Sequence, residues 1–204
     1  MSVYFGGTFD PPTLAHVAAA SAVSNLLMQP VVWLPNARSP LKSESPSAPH
    51  RLAMLRLLCD ADPRFSVDTL EINRPPPSYA VETLEQLKDR NPDQELIWMM
   101  GADSFEQIQC WDRWPRLLEL ANLIVLNRPG YGIASPSAWR NRECVASEVA
   151  DRQGVWCQIE IPPMDVAASH VRQAIEDNQA WEQWVPQSIT EYIKDNHLYV
   201  KNHG

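Results

Sequence analysis

Phosphate-cradling signatures are missing from this chain. It has 204 residues and only 7 glycines, and contains neither G-x-G-x-x-G nor G-x-x-x-x-G-K-[ST]. Dinucleotide oxidoreductases and P-loop NTPases therefore lose their main signature. Basic charge is also scarce. Lys+Arg number 17 against 25 Asp+Glu, a net charge of −8, with no basic tail or stripe. Nucleic-acid binding through a phosphate-neutralising face needs clustered Lys and Arg, so that class is excluded. A small phosphorylated ligand needs only a few local donors and stays open.

Cysteine is sparse. Cys59, Cys110, Cys144 and Cys157 form no C-x-x-C pair and lie far apart. This spacing suits buried thiols in a reducing compartment better than bridges or a zinc site. Cys110 and Cys157, each in an apolar stretch, are the expected core pair. No run reaches the ~18 apolar residues of a membrane span, and the N-terminus has no basic leader region. The expectation is a cytoplasmic protein without membrane contact.

What is present is a globular composition, 45% hydrophobic and 21% charged, long enough for a sizeable core. Proline is abundant at 18 residues, and tryptophan reaches 8. At ~100–200 residues per domain one domain spanning 1–204 is expected. Short apolar runs alternate with amphipathic stretches. Strands are predicted at 3–5, 31–34, 65–72, 95–100, 123–126 and 155–161. Helices are predicted at 14–28, 50–59, 81–90, 104–109, 113–121, 168–178 and 186–196. Residues 36–49 read as a long loop. Residues 130–150 are polar and irregular, with the look of a mobile insertion. This alternation predicts an α/β fold, a Rossmann-like parallel sheet with helices on both faces and a C-terminal helical extension at about 165–199. Ligands of such sheets bind beyond the carboxyl ends of the strands, at the switch point.

The first strand-to-helix loop reads Gly6-Gly7-Thr8-Phe9-Asp10-Pro11-Pro12-Thr13-Leu14-Ala15-His16. Two glycines after a strand allow a ligand close to the backbone. The helix that follows points its first amides at that position, which favours a phosphate. Thr13 and His16 share a face.

Gly-Gly-Thr-Phe-Asp-Pro followed by Thr-x-x-His resembles the signature of the nucleotidylyltransferase superfamily. Further segments are similar to its nicotinate-mononucleotide adenylyltransferase branch: Pro40-Leu41-Lys42, His50-Arg51-Leu52-Ala53-Met54-Leu55, Ser78-Tyr79-Ala80-Val81-Glu82-Thr83-Leu84, Gly101-Ala102-Asp103-Ser104, Trp111, Asn127-Arg128-Pro129-Gly130 and Val166-Ala167-Ala168-Ser169-His170-Val171-Arg172. Their order is kept along nearly the whole chain.

The resemblance implies transfer of AMP from ATP to a pyridine mononucleotide, with Mg²⁺ carried by the ATP and no metal ligands from the protein. It implies that His16, Thr13, Lys42 and Arg172 serve the transferring phosphates. Gly6, Gly7, Thr8, Phe9, Gly101, Asp103 and Ser169 would meet ATP. Asp10, Tyr79, Ala80, Thr83, Trp111 and Arg128 would meet the pyridine mononucleotide, with Trp111 stacking on the ring. Asp103 is also a candidate helix N-cap with Glu106 at N3. The chain departs from the pattern at Thr13, where the family has its first histidine, and at Ala15, Ala80, Ala167 and Ala168. Thr13 keeps a hydroxyl for a phosphate but not a histidine's charge. Ala80 lacks the hydroxyl that helps hold a nicotinate carboxylate, which opens nicotinamide mononucleotide as a second acceptor. A phosphopantetheine adenylyltransferase and a weakened nucleotide-binding paralogue are the rival readings, and a homo-oligomer is compatible with the sequence.

Overall fold

The computed structural model describes residues 1–37, 48–127, 130, 132–161 and 167–200. Lys42 and Arg128, and with them the segments at 40–42 and 128–129, lie outside the described residues.

Among the described residues, apolar runs with β-branched and aromatic residues form six strands: β1 (Ser2–Gly7), β2 (Val31–Pro35), β3 (Phe65–Val67), β4 (Leu96–Gly101), β5 (Asn122–Asn127) and β6 (Trp156–Glu160). All pair in parallel in the order β3-β2-β1-β4-β5-β6. Among the described residues seven α-helices cover them: α1 (Leu14–Leu27), α2 (Ala48–Ala61), α3 (Ala80–Arg90), α4 (Ala102–Glu106), α5 (Leu117–Leu120), α6 (Ala168–Glu176) and α7 (Gln187–Asp195). Side chains of successive strand residues point to opposite faces, and the core divides accordingly. Val3, Phe5, Trp33, Met99 and Cys157 pack with α1, α2, α6 and α7. Tyr4, Leu34, Trp98, Met100 and Trp156 pack with α3, α4 and α5. The expected Rossmann-like sheet with helices on both faces is what the chain forms. Among the described residues no helix is long and apolar enough to cross a membrane.

Three expectations are corrected. The strand predicted over 65–72 ends at Val67, because the Asp68 carboxylate accepts the Leu70 amide at 2.8 Å and turns the chain. Residues 132–150, expected as an irregular insertion, form 3₁₀ turns at Ser137–Arg142 and Ala146–Glu148 that pack onto the fold. Trp139 is buried against Phe105, Trp114 and Trp156, and the side chain of buried Asn122 donates to the carbonyls of Val149 and Arg152. Cys110 is exposed, while Cys157 is buried and burial pushes its thiol up to about 12. The apolar neighbourhood of Cys110 belongs to Ile108, one step round a 3₁₀ turn.

Candidate active site

The strand order reverses direction between β1 and β4, which splays their following connections apart and opens a crevice at their carboxyl ends. The last pair is Phe5 with Met99, so the ends at Gly7 and Gly101 lie side by side. The glycines here are demanded first by the protein itself. A Cβ on Gly6 would stand 2.1 Å from Cζ2 of Trp98, and one on Gly7 2.8 Å from the Phe9 ring. Trp98 is buried and cannot swing aside. Gly6→Ala is therefore expected to destabilise the fold by about 1–3 kcal/mol through overpacking, read as a lower midpoint of urea unfolding.

Phe9 adopts a positive φ of 52°, which turns its ring inward. It is buried, edge-on to Phe5, Trp33 and His16 at 5.3, 5.1 and 5.5 Å between ring centres. The ring is thus core and backs the imidazole of His16, so its side chain does not meet ATP.

Thr13 N-caps α1 in a capping box with His16 at N3. The Thr13 amide donates to His16 Nδ1 at 3.0 Å, and Thr13 Oγ1 lies 2.7 Å from the same nitrogen. A nitrogen that accepts a backbone N–H carries the lone pair, so the neutral ring holds its proton on Nε2. Thr13 is fully buried. Its hydroxyl therefore orients His16 and does not itself reach a phosphate.

Arg51 is the residue whose function the sequence did not disclose. It is fully buried and ties two strand-end loops together. Nη1 donates to the Thr8 carbonyl at 2.8 Å, and Nη2 to the carbonyls of Asn36 and Ala37 at 2.7 and 3.1 Å. Asn36 also donates to Thr8 Oγ1 at 3.3 Å, so the Thr8 hydroxyl is engaged within the loop. Burial lowers the pKa of Arg51, opposed by Asp10 and Tyr199. An arginine at helical spacing in an amphipathic segment reads as a solvated face, which is why this bridge is invisible from the sequence.

Asp10 is 4% exposed and so is held by the protein, not presented to an acceptor. Its Oδ1 accepts the Tyr199 hydroxyl at 2.6 Å, and its backbone carbonyl accepts Arg172 Nη1 at 2.7 Å. Arg172 projects from the first turns of α6, whose N-cap, Ala167, offers no side-chain hydrogen bond. Ser169 and His170 are exposed in that turn. The N-terminal end of α6 and one guanidinium thus converge beside the first loop.

At the end of β4, Gly101 is itself the N-cap of α4, and Asp103 sits exposed in its first turn. Asp103 is therefore not the cap. A Cβ on Gly101 would stand 2.6 Å from its Oδ1. Farther along the crevice, Tyr79 is the N-cap of α3 without a side-chain bond, followed by Ala80 at N1. Thr83 is fully buried and donates to Glu71 Oε1 at 2.6 Å, so it supports the loop and does not touch a ligand. Burial raises the Glu71 pKa, opposed by contacts from Thr83, Arg74 and Ser78. Ser78 accepts the Ala37 amide at 3.2 Å, joining this loop to the one after β2. Trp111 is half-buried at the end of a 3₁₀ turn, and neighbouring Asp112 pairs with Arg113 at 3.0 Å.

Residues 4–193 match the cytidylyltransferase-like family. A Symbiobacterium thermophilum protein named "Probable nicotinate-nucleotide adenylyltransferase" is 34% identical over 98% of this chain and 96% of its own length. The chain belongs to the nicotinate-nucleotide adenylyltransferase family. A Thermus thermophilus relative of the same name is 33% identical over 96% of this chain and 97% of its own. The fold is also that of the Plasmodium falciparum nicotinic acid mononucleotide adenylyltransferase complexed with NaAD, with a TM-score of 0.77 at 18% identity, covering 97% of this chain and 96% of that one. Membership of this family accounts for the order in which the motif segments follow one another along the chain.

Proposed function

We propose that this chain transfers the adenylyl group of ATP to nicotinate mononucleotide, forming the dinucleotide and releasing pyrophosphate in NAD biosynthesis, in a cytoplasmic setting. The observation that carries this reading is His16, set at the switch point with its ring proton placed on Nε2 by the Thr13 contact. A phosphate oxygen of the mononucleotide attacks the α-phosphorus of ATP in line. The bond from that phosphorus to the bridging oxygen breaks, and its electron pair leaves with pyrophosphate. No covalent enzyme intermediate is needed, so the protein's task is positioning and charge stabilisation.

His16 Nε2–H donates to the α-phosphate, where charge builds. Arg172 and, from the motif, Lys42 hold the triphosphate, with Ser169 and the first amides of α6 beside them. The backbone at Gly6, Gly7 and Gly101, together with Asp103, receives the adenosine. Trp111 offers its face to the pyridine ring, and Arg128 joins the acceptor end by motif. Among the described residues no group of three or more His, Cys, Asp or Glu stands together to hold a metal. This donor set fits Mg²⁺ that arrives on the triphosphate, where it neutralises charge on the phosphates.

For the acceptor, α3 compensates the missing hydroxyl at Ala80. Eleven residues long and without a side-chain cap, its N-terminal end presents unsatisfied amides and partial positive charge to a carboxylate. Pyrophosphate release from Mg·ATP is therefore expected with nicotinate mononucleotide and at least about tenfold less with nicotinamide mononucleotide, the loss of one charge-assisted contact. Comparable release with both would show that Ala80 has relaxed selectivity. Release with neither, from folded protein that binds ATP, would overturn the reading.

A further inference from the structure

A ring that stacks on the acceptor has to stand at a fixed place, and the turn that carries Trp111 fixes only its local shape. Trp111 sits half-buried between two single 3₁₀ turns, Ile108–Cys110 and Trp114–Arg116. Such turns have poorer hydrogen-bond geometry than an α-helix. The Trp111 amide donates to the Ile108 carbonyl at 3.0 Å, and its carbonyl accepts the Trp114 amide at 3.3 Å. These bonds do not set where the segment lies relative to α3, whose start at Tyr79 and Ala80 forms the other half of the acceptor end.

An ion cluster makes that connection. Glu85 stands on α3, five residues on from Ala80. Arg113 Nη1 donates to both of its carboxylate oxygens, at 2.9 and 3.0 Å, and Arg116 Nε donates to Oε1 at 2.8 Å. Arg113 Nε donates to Asp112 Oδ2 at 3.0 Å, and Arg116 Nη1 to Glu119 Oε2 at 2.9 Å. The bond from Arg116, and then that from Arg113, holds the Glu85 carboxyl below its ordinary pKa, so it stays ionised at neutral pH. A lone exposed ion pair contributes little, whereas a network of shared partners holds a geometry. Arg113 itself adopts a φ of 45°, a left-handed backbone that a non-glycine residue keeps only where its surroundings over-determine it. Its side chain supplies that determination, reaching Asp112 beside Trp111 and Glu85 on α3. Charge is settled by the same contacts. Asp112 and Glu85 bring two carboxylates toward an anionic acceptor, and Arg113 and Arg116 offset them.

We propose that Glu85 and Arg113 form a clasp that positions Trp111 for the acceptor. The pair ties the ring-bearing segment to the helix whose start receives the acceptor's carboxylate, and so sets the spacing between the two contacts. Both are positioning residues that act through Trp111, and their effect falls on the acceptor and not on ATP. The inference rests on the reading of Trp111 and the start of α3 as the acceptor end.

The test is steady-state kinetics of the full chain and of Glu85→Ala, Arg113→Gln and the double variant, with Mg·ATP and nicotinate mononucleotide each varied. Each single variant should raise the KM for the mononucleotide by about fivefold, the upper worth of an exposed pair, with kcat and the KM for ATP unchanged. The double variant should be no worse than either single one, because both break the same contact. The two substitutions change net charge in opposite directions. A mere effect of charge on an anionic substrate would therefore move the two KM values apart, one up and one down, and would overturn the proposal. Unchanged values overturn it too, as do losses that add in the double variant, or an equal rise in the KM for ATP. Amide hydrogen exchange over 108–116 should quicken in both single variants while that of α3 does not. Exchange at the parent's rate overturns the clasp whatever the KM does. Thermal unfolding should shift little, since the side chains are partly exposed. A parent that turns over no pyridine mononucleotide overturns the acceptor reading and this inference with it. A parent that turns it over, with variants that match it, overturns the inference alone.

Discussion

His16→Ala is expected to lower turnover by about 10²–10³-fold, the usual cost of removing one preorganised donor from a developing oxyanion. In-line adenylyl transfer asks for little else from the protein, so one correctly placed N–H carries much of the stabilisation. That placement is built from the sequence upward. Thr13 starts α1, the helical spacing puts His16 three residues later at N3, and the Thr13 amide and hydroxyl converge on Nδ1 at 3.0 and 2.7 Å. Phe9 backs the ring edge-on. The variant also loses half of the capping box, so stability should fall by about 1 kcal/mol. A drop in turnover of this size, with unfolding shifted only slightly, separates chemistry from folding. A weakened nucleotide-binding paralogue predicts the opposite: Mg·ATP binding without pyrophosphate release, and no response to His16→Ala. If the variant kept most of its activity, His16 would have no part in the transfer.

Thr13→Val sharpens the same point. The Thr13 hydroxyl is buried and spent on orienting His16. The sequence shows only that a hydroxyl stands where a charge is usual. Which atom it serves depends on the cap geometry, and the structure supplies that.

The strands were readable because each is a short apolar run, and alternation within them predicts two core faces, as Phe5 and Tyr4 show by packing to opposite sides. The sequence predicts a parallel sheet without its strand order, and the candidate residues of the loop after β1 and the start of α4 both lie at the switch point of the sheet. The failures come from side-chain contacts that periodicity does not show, some local and some between residues distant in the chain. Asp68 ends β3 through its carboxylate, which accepts the amide of Leu70 two residues on. Trp139 buries an otherwise polar segment against Trp156. Thr83 was assigned to the ligand by motif but is consumed by Glu71, twelve residues earlier. Two glycines after a strand suggest room for a ligand, while at Gly6 and Gly7 the nearest obstacles to a side chain are Trp98 and Phe9. Tyr199 stands 189 residues from Asp10, and no local pattern in a terminal helix signals such a partner.

Arg51→Met is expected to destabilise the protein by about 3–5 kcal/mol, the cost of breaking a buried charged network on one side. The side chains are of comparable length, so the deficit is not one of volume. Three backbone carbonyls, of Thr8, Asn36 and Ala37, would lose the donors that reach them at 2.8, 2.7 and 3.1 Å, and each buried acceptor left without a partner costs about 1–3 kcal/mol. Asp10 would lose a compensating positive charge as well. Against a total stability of about 5–15 kcal/mol, this is enough to leave a marginal fold. Arg51→Lys should recover only part of the loss, because an ammonium is a point donor that cannot span the two loops as the planar fork does. Urea unfolding should show the midpoint falling from parent to Lys to Met with an unchanged slope. Turnover should fall ahead of stability in the Lys variant, because what the guanidinium fixes is the position of the β1 loop, and with it His16, relative to the loop after β2. A methionine variant within about 1 kcal/mol of the parent would show that the two loops hold their places without this bridge.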